Sequence, residues 1–127
     1  MRFEITPEEA QGVALVLVKH FRRQHMDVRI EHVGIPGAPY RTTLVAEKGG
    51  RRILVEAQGT LSYGRSLRQL ATWLAAGRQY AELYVATSSR AVMQAEALQE
   101  LRYDGVGVFV VNEDDSVTEH HRARNPA

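Results

Sequence analysis

The stretch TTLVAEKGGRRILVEAQG, residues 42–59, constrains the fold more than any other part of the chain. Residues 53–55, Ile-Leu-Val, are apolar in succession, which is typical of a central strand buried on both faces. Gly49 and Gly50 separate this run from an earlier strand-like segment and suit the tight turn of a hairpin. The sequence therefore predicts a β-hairpin inside a sheet that is covered on both sides.

Helices and strands alternate around this hairpin. Thr6 can cap a helix, Pro7 suits its first position and Glu9 completes a capping box, so a helix is expected to begin here. Helical and alternating apolar patterns locate the remaining elements. They predict helices over residues 7–24, 65–76 and from Ser88 or Ser89 to about residue 101, and strands over residues 27–33, 40–47, 51–57, 82–87 and 106–111.

The predicted order αβββαβαβ indicates an α/β domain. A meander of three strands followed by strands that alternate with helices favours a mixed sheet of about five strands, flanked by helices in three layers. The chain of 127 residues fits a single domain, which we place at residues 1–112. Residues 113–127 are charged and end in Asn-Pro-Ala, which predicts a flexible tail.

Composition narrows the classes of site and partner. The absence of cysteine excludes disulfides, thiolate nucleophiles and cysteine-based zinc sites. No apolar run approaches the ~18 residues of a membrane span, and the polar, acidic N-terminus differs from a signal peptide, so we expect a cytoplasmic protein without a membrane partner. Residues 1–112 hold 14 Lys/Arg and 11 Asp/Glu, a balance of +3 that permits contact with nucleic acid without requiring it.

Three short segments follow one another in an informative order. They are TTLV at residues 42–45, VEAQG at residues 55–59 and QLATW at residues 69–73. Together with the element order they resemble the PD-(D/E)XK nuclease superfamily, which has the restriction-endonuclease-like fold. The resemblance covers about residues 7–111.

The resemblance implies roles for single residues. Glu56 matches the acid of the family's acid-x-Lys tripeptide and would be a ligand of catalytic Mg²⁺ or Mn²⁺. Gln58 replaces the lysine and could orient a water molecule through its amide, while Thr43 stands where the family has aspartate. Gln69 and Trp73 are similar to the Gln-x-x-x-Tyr element of some nuclease branches.

Two interpretations of this motif stay open because Thr43 and Gln58 depart from the family pattern. In the first, the protein binds nucleic acid and its catalytic site is degraded and inactive. In the second, it is an active metal-dependent DNA or RNA nuclease in which Glu56 works with an acid from elsewhere in the chain. The acids considered for that role are Glu8, Glu9, Asp27, Glu31 and Glu47.

Four arginines could hold phosphates beside Glu56, since guanidinium groups pair with phosphate through a fixed fork of donors. The alternative is a solvated surface on which Glu56 merely pairs with a nearby arginine. A third functional hypothesis is a protein-interaction module in which the sheet edge or a helix face forms a homodimer. The four arginines are Arg51, Arg52, Arg65 and Arg68.

Overall fold

A computed structural model describes residues 7–33, 41–56, 81–90, 95–103 and 105–124, with the backbone alone at Pro7, residues 31–33, 41–43 and 95–97, and Glu100. The elements in chain order are α1 (Pro7–Arg23), β1 (Asp27–Val33), β2 (Arg41–Lys48), β3 (Arg51–Glu56), β4 (Glu82–Ser88), α2 (Ala95–Tyr103), β5 (Gly107–Val111) and β6 (Val117–His121). In this part of the chain no helix is both long enough and apolar enough to cross a membrane.

The strands within the described ranges form one sheet of six, and their spatial order repeats their order along the chain. β1, β2 and β3 make an antiparallel meander, β3, β4 and β5 run parallel, and β6 returns antiparallel to β5. The mixed α/β sheet agrees with the sequence-based expectation. The strand count does not, because the sheet has six strands where about five were expected.

The hairpin between β2 and β3 is built by two glycines. Gly49 and Gly50 have φ angles of 55° and 84°, in the left-handed region that disfavours residues with a Cβ atom. This turn places Lys48 opposite Arg51 and thereby determines the register of the whole hairpin.

Both faces of the sheet are covered, as the apolar run in β3 predicts. Ile53 and Val55 pack in a core cluster with Leu17 and Phe21 of α1. Leu54, which points to the other face, packs in a second cluster with Leu101 of α2. Side-chain alternation along one strand therefore supplies two separate cores.

The sixth strand corrects the expectation for the C-terminal segment. Residues 113–127 were predicted to be a flexible tail, yet Val117–His121 pairs with β5. The turn before it is held by polar contacts, since the Asn112 amide donates to Ser116 Oγ at 3.0 Å and to Thr118 Oγ1 at 2.9 Å. The sequence pattern missed β6 because an edge strand with largely solvent-exposed side chains lacks the apolar alternation by which strands are recognised.

Residues 57–80 lie outside the described residues. The predicted helix over residues 65–76 falls there, as do Gln58, Arg65, Arg68, Gln69 and Trp73.

Candidate functional site

Glu56 is the last residue of β3 and is almost fully buried, with 4% of its surface exposed. It lies on the same face as Leu54, the face that α2 covers, and its register partner in β4 is Val85. A carboxylate at such a place must have its charge compensated by hydrogen bonds or nearby charges. Glu56 occupies the carboxyl end of a parallel strand, the end at which open α/β sheets bind ligands where their strand order reverses. The described strands follow chain order without such a reversal, so the position of Glu56 alone does not predict a ligand.

Thr43 and Glu31 stand in register with Glu56. Leu44 pairs with Val55, so one further step in the same register brings Thr43 beside Glu56. Glu31 of β1 pairs with Thr43 on its other side. We call Glu31, Thr43 and Glu56 the transverse row. Neighbouring strands lie about 4.8 Å apart, so the backbones of the two glutamates are about 10 Å apart, with Thr43 between them.

The transverse row shows which of the acids considered above lies in register with Glu56. Asp27 and Glu47 are register partners at the opposite end of β1 and β2, beside the hairpin turn. Glu8 and Glu9 belong to α1, which packs on the other face of the sheet. Glu31 is therefore the acid whose register position matches Glu56.

Two carboxylates in one row fit the preference of Mg²⁺ for one or two protein carboxylates completed by water and phosphate oxygens. Glu56 and Glu31 are the residues that would hold such an ion. Where side chains are described, the structure gathers no group of three or more histidine, aspartate or glutamate residues suited to a metal.

Arg51 and Arg52 lie at the start of β3, which separates them from Glu56. The five residues of strand between Arg51 and Glu56 correspond to about 17 Å, and the four between Arg52 and Glu56 to about 13 Å. That these arginines hold phosphates stays a prediction, and it applies to the end of β3 opposite Glu56. Arg51 forms a two-point ion pair with the buried Glu82, which includes a 3.0 Å contact from its Nη2 atom. Arg52 approaches Glu47 with its Nε atom 3.4 Å from Oε1.

Positive charge is concentrated where these arginines lie. Lys48 Nζ donates a 3.0 Å hydrogen bond to the carbonyl oxygen of Gln24, which holds the hairpin turn against the end of α1. An open cleft of about 410 Å³ runs between the start of β1 and this turn. The acids at this place are Asp27, Glu47 and Glu82. The surface that we call the basic end consists of Arg22, Arg23, Arg29, Lys48, Arg51 and Arg52.

The arginines of the basic end change the pKa of an acid within it, Glu47. Arg29 Nη2 donates a 2.8 Å hydrogen bond to Glu47 Oε1, and this bond lowers the pKa of the Glu47 carboxyl, with a smaller contribution from Arg52. Sequence reasoning missed most of this surface. The signal was available in the basic last turn of α1, because the short connection into β1 brings that turn to the same end of the sheet as the hairpin.

A second cleft, of about 350 Å³, lies on the face that α1 covers. Its wall includes Phe21 and Phe109, whose rings meet edge to face at 5.7 Å, and the ring of Tyr84 stacks on Phe109 at 4.2 Å. Burial lowers the pKa of His20 at the rim, with a smaller effect from Arg23. This cleft was not foreseen, because part of its wall comes from the segment around β6 that was expected to be a tail. Its polar lining residues are His20, Gln24, Arg51, Glu119 and Arg122.

Comparisons of the chain with known protein families, with curated proteins and with solved structures found no match. The mixed α/β sheet is established by the structure, and the transverse row follows from extending its β2–β3 register by one residue. Membership of the PD-(D/E)XK superfamily and the restriction-endonuclease-like fold stay predictions from the sequence.

Proposed function

We propose that this protein binds nucleic acid through the basic end, on a nuclease-like fold whose catalytic site is degraded. The observation that carries the proposal is the hydrogen bond from Lys48 to the Gln24 carbonyl, because it joins two basic segments that are 24 residues apart. Six basic residues face three acids on this surface, so it presents a net positive charge to a polymer of phosphates.

The ion pair of Arg51 leaves the residue able to bind phosphate. Glu82 engages Nε and Nη2, whereas the guanidinium has five N–H donors, and 45% of the Arg51 side chain is exposed. Glu82 also orients the guanidinium, which reduces the entropy lost when a phosphate binds. Arg22 and Arg23 are exposed in the last turn of α1 and extend the same surface.

Thr43 supports the view that the catalytic site is degraded. It stands beside Glu56 at the position where the nuclease motif has aspartate, and a neutral hydroxyl is a weak ligand for a hard divalent cation. With Thr43 in place, metal binding depends on Glu31 reaching the same ion.

A metal-dependent nuclease is the second candidate function, and the transverse row is the observation that favours it. Glu56 and Glu31 would hold a divalent ion that polarises a phosphodiester and lowers the pKa of a bound water molecule. Gln58, two residues beyond Glu56 in the sequence, would orient that water through its amide.

Binding is tested by fluorescence anisotropy with labelled single-stranded and double-stranded DNA and RNA over a series of salt concentrations. We expect affinity to fall linearly with salt on a double logarithmic plot, with a slope of about 0.7 to 0.9 per phosphate contact. A flat response, or no binding at low salt, would contradict the proposal.

Cleavage is tested separately, with the same polymers and either Mg²⁺ or Mn²⁺. The degraded site predicts no cleavage by the wild-type protein. Cleavage that disappears in both Glu56→Gln and Glu31→Gln, and persists in Glu113→Gln, would instead establish the second candidate. Glu113 is a suitable control because it is exposed in the turn before β6.

A further inference from the structure

The outer edge of β1 is long and regular. All seven residues of β1 pair with β2 without a register shift, and among the described strands none pairs with its other side. The opposite edge of the sheet is protected, since β6 has five residues and its pairing with β5 contains an irregularity. Proteins commonly blunt edge strands by shortness, bulges or charge. β1 is neither short nor bulged, and its charged residues, Asp27, Arg29 and Glu31, include both signs, so a partner strand with the complementary charges can still pair with it.

The middle residue of β1 is exposed and apolar. Ile30 has 58% of its surface exposed although it belongs to the sheet face that α1 covers, the face of its register partner Leu44. A large apolar side chain in the centre of an open edge gains most by pairing with another apolar side chain directly opposite.

The sequence of β1, Asp-Val-Arg-Ile-Glu-His-Val, is complementary to itself in one register. A two-fold axis perpendicular to the sheet keeps each residue on its own face, so only residues separated by an even number of positions can be paired. If the two-fold axis passes through Arg29 or through Glu31, like charges lie opposite each other and five residues of each strand are paired. Centring on Ile30 pairs all seven residues, with Arg29 opposite glutamate in both halves.

We propose that β1 pairs antiparallel with β1 of a second copy of this chain, with Ile30 opposite Ile30 and Arg29 opposite Glu31. The two sheets then form one continuous sheet of twelve strands. Arg29 carries a side chain that is 44% exposed and contacts Glu47 within its own sheet, so in the dimer it lies between an acid of each copy. This proposal does not rest on nucleic-acid binding, although Arg29 also belongs to the basic end, and its test is therefore the oligomeric state alone.

The oligomeric state of the full chain is measured by sedimentation equilibrium and by light scattering. We expect a species of twice the 14.2 kDa chain mass. Arg29→Glu and Glu31→Arg each place like charges opposite one another twice per dimer, so each variant alone should dimerise about tenfold more weakly or worse. Circular dichroism melting checks that each variant is folded.

The decisive experiment mixes these two variants. In the mixed dimer each glutamate at position 29 or 31 lies opposite an arginine, so two variants that dimerise weakly alone should form a stronger heterodimer together. The double variant Arg29→Glu/Glu31→Arg should regain the homodimer, although it lacks the contact between Arg29 and Glu47 just as the single variant does. A monomeric wild type, or a dimer that survives both single substitutions, would overturn the proposal.

Discussion

The phenol of Tyr84 donates a 2.6 Å hydrogen bond to Oε1 of Glu119, across the strand that separates their two strands. The same ring lies over Gly107 and stacks on Phe109, so β4, β5 and β6 meet at one buried aromatic group. β6 is therefore attached to the core by more than its own backbone pairing.

Removing the Tyr84 hydroxyl should lower the free energy of unfolding of the protein. We expect Tyr84→Phe to lower the free energy of unfolding by about 1 to 2 kcal/mol, because a hydrogen bond to a charged acceptor is lost. Urea unfolding measures the change. Tyr103→Phe, at a residue that is 83% exposed, should stay within about 0.5 kcal/mol of the wild type. Equal effects of the two substitutions would contradict this account of Tyr84.

Tyr84 should also ionise at a higher pH than an ordinary tyrosine. Burial, and then the bond to Glu119, raise its pKa from 10.0 to about 12. A raised folded-state pKa means that the group stabilises the protein fully below pH 10 and that this stabilisation is lost as the pH rises towards 12. Alkaline titration of tyrosinate absorbance should show a step near pH 12 that is missing in Tyr84→Phe.

Two glycine substitutions should have opposite effects. A Cβ atom on Gly107 would collide with Cε2 of Tyr84 and lie 2.6 Å from the backbone nitrogen of Ala123, so Gly107→Ala should destabilise the protein by about 1 to 3 kcal/mol. Gly12 lies within α1 with no atom within 4 Å of such a Cβ, and Gly12→Ala should stabilise by about 0.5 to 1 kcal/mol. Chemical denaturation compares both, and a neutral Gly107→Ala would contradict the packing around Tyr84.

His20 should titrate below its ordinary range. Burial, followed by the charge of Arg23, lowers its pKa, and the opposing charge of Glu119 is a smaller effect. A lowered folded-state pKa means that His20 contributes stability above pH 6.5 and that this contribution is lost as the pH falls through its folded-state pKa. NMR titration of the imidazole protons should place His20 below 6.5 in the folded protein. The same resonance in urea should return to the ordinary value.

The basic end predicts a graded loss of nucleic-acid binding. The double substitution Arg22→Gln/Arg23→Gln should weaken binding to all sequences alike and reduce the salt slope by about 2, or about 1 for each phosphate contact. Arg90→Gln/Arg102→Gln removes the same charge from residues outside the basic end and should leave the slope unchanged. Equal losses in both double variants would point to non-specific attraction by net charge.

The hairpin and its neighbours could be predicted because local chemistry determines them. Thr43 and Glu56 lie five residues from Lys48 and Arg51, so recognising the Gly49-Gly50 turn is enough to predict that they are adjacent. α1 and the strands from β1 to β5 follow in the same way from capping and periodicity.

The position of Arg51 shows where that reasoning fails. Arg51 is close to Glu56 in sequence, but an extended strand separates the two residues by about 17 Å, and the partner of Arg51 is 31 residues away in β4. Sequence patterns did not indicate the aromatic cluster around Tyr84 either, since this cluster depends on a polar strand and on pairings between distant segments. Periodicity reports which face a residue occupies, not which distant residue it meets.

The agreement between strand order and chain order has a consequence for how the sheet is made. None of the six described strands has to be inserted between two that already pair, so the sheet can widen by one strand at a time at one edge. The antiparallel additions close short loops, whereas the parallel pairings of β4 with β3 and of β5 with β4 must close longer connections and carry the larger entropic cost. β6 is the last strand at this edge. Its side chains Glu119 and His120 are exposed and its pairing with β5 is irregular, which disfavours pairing with a further strand.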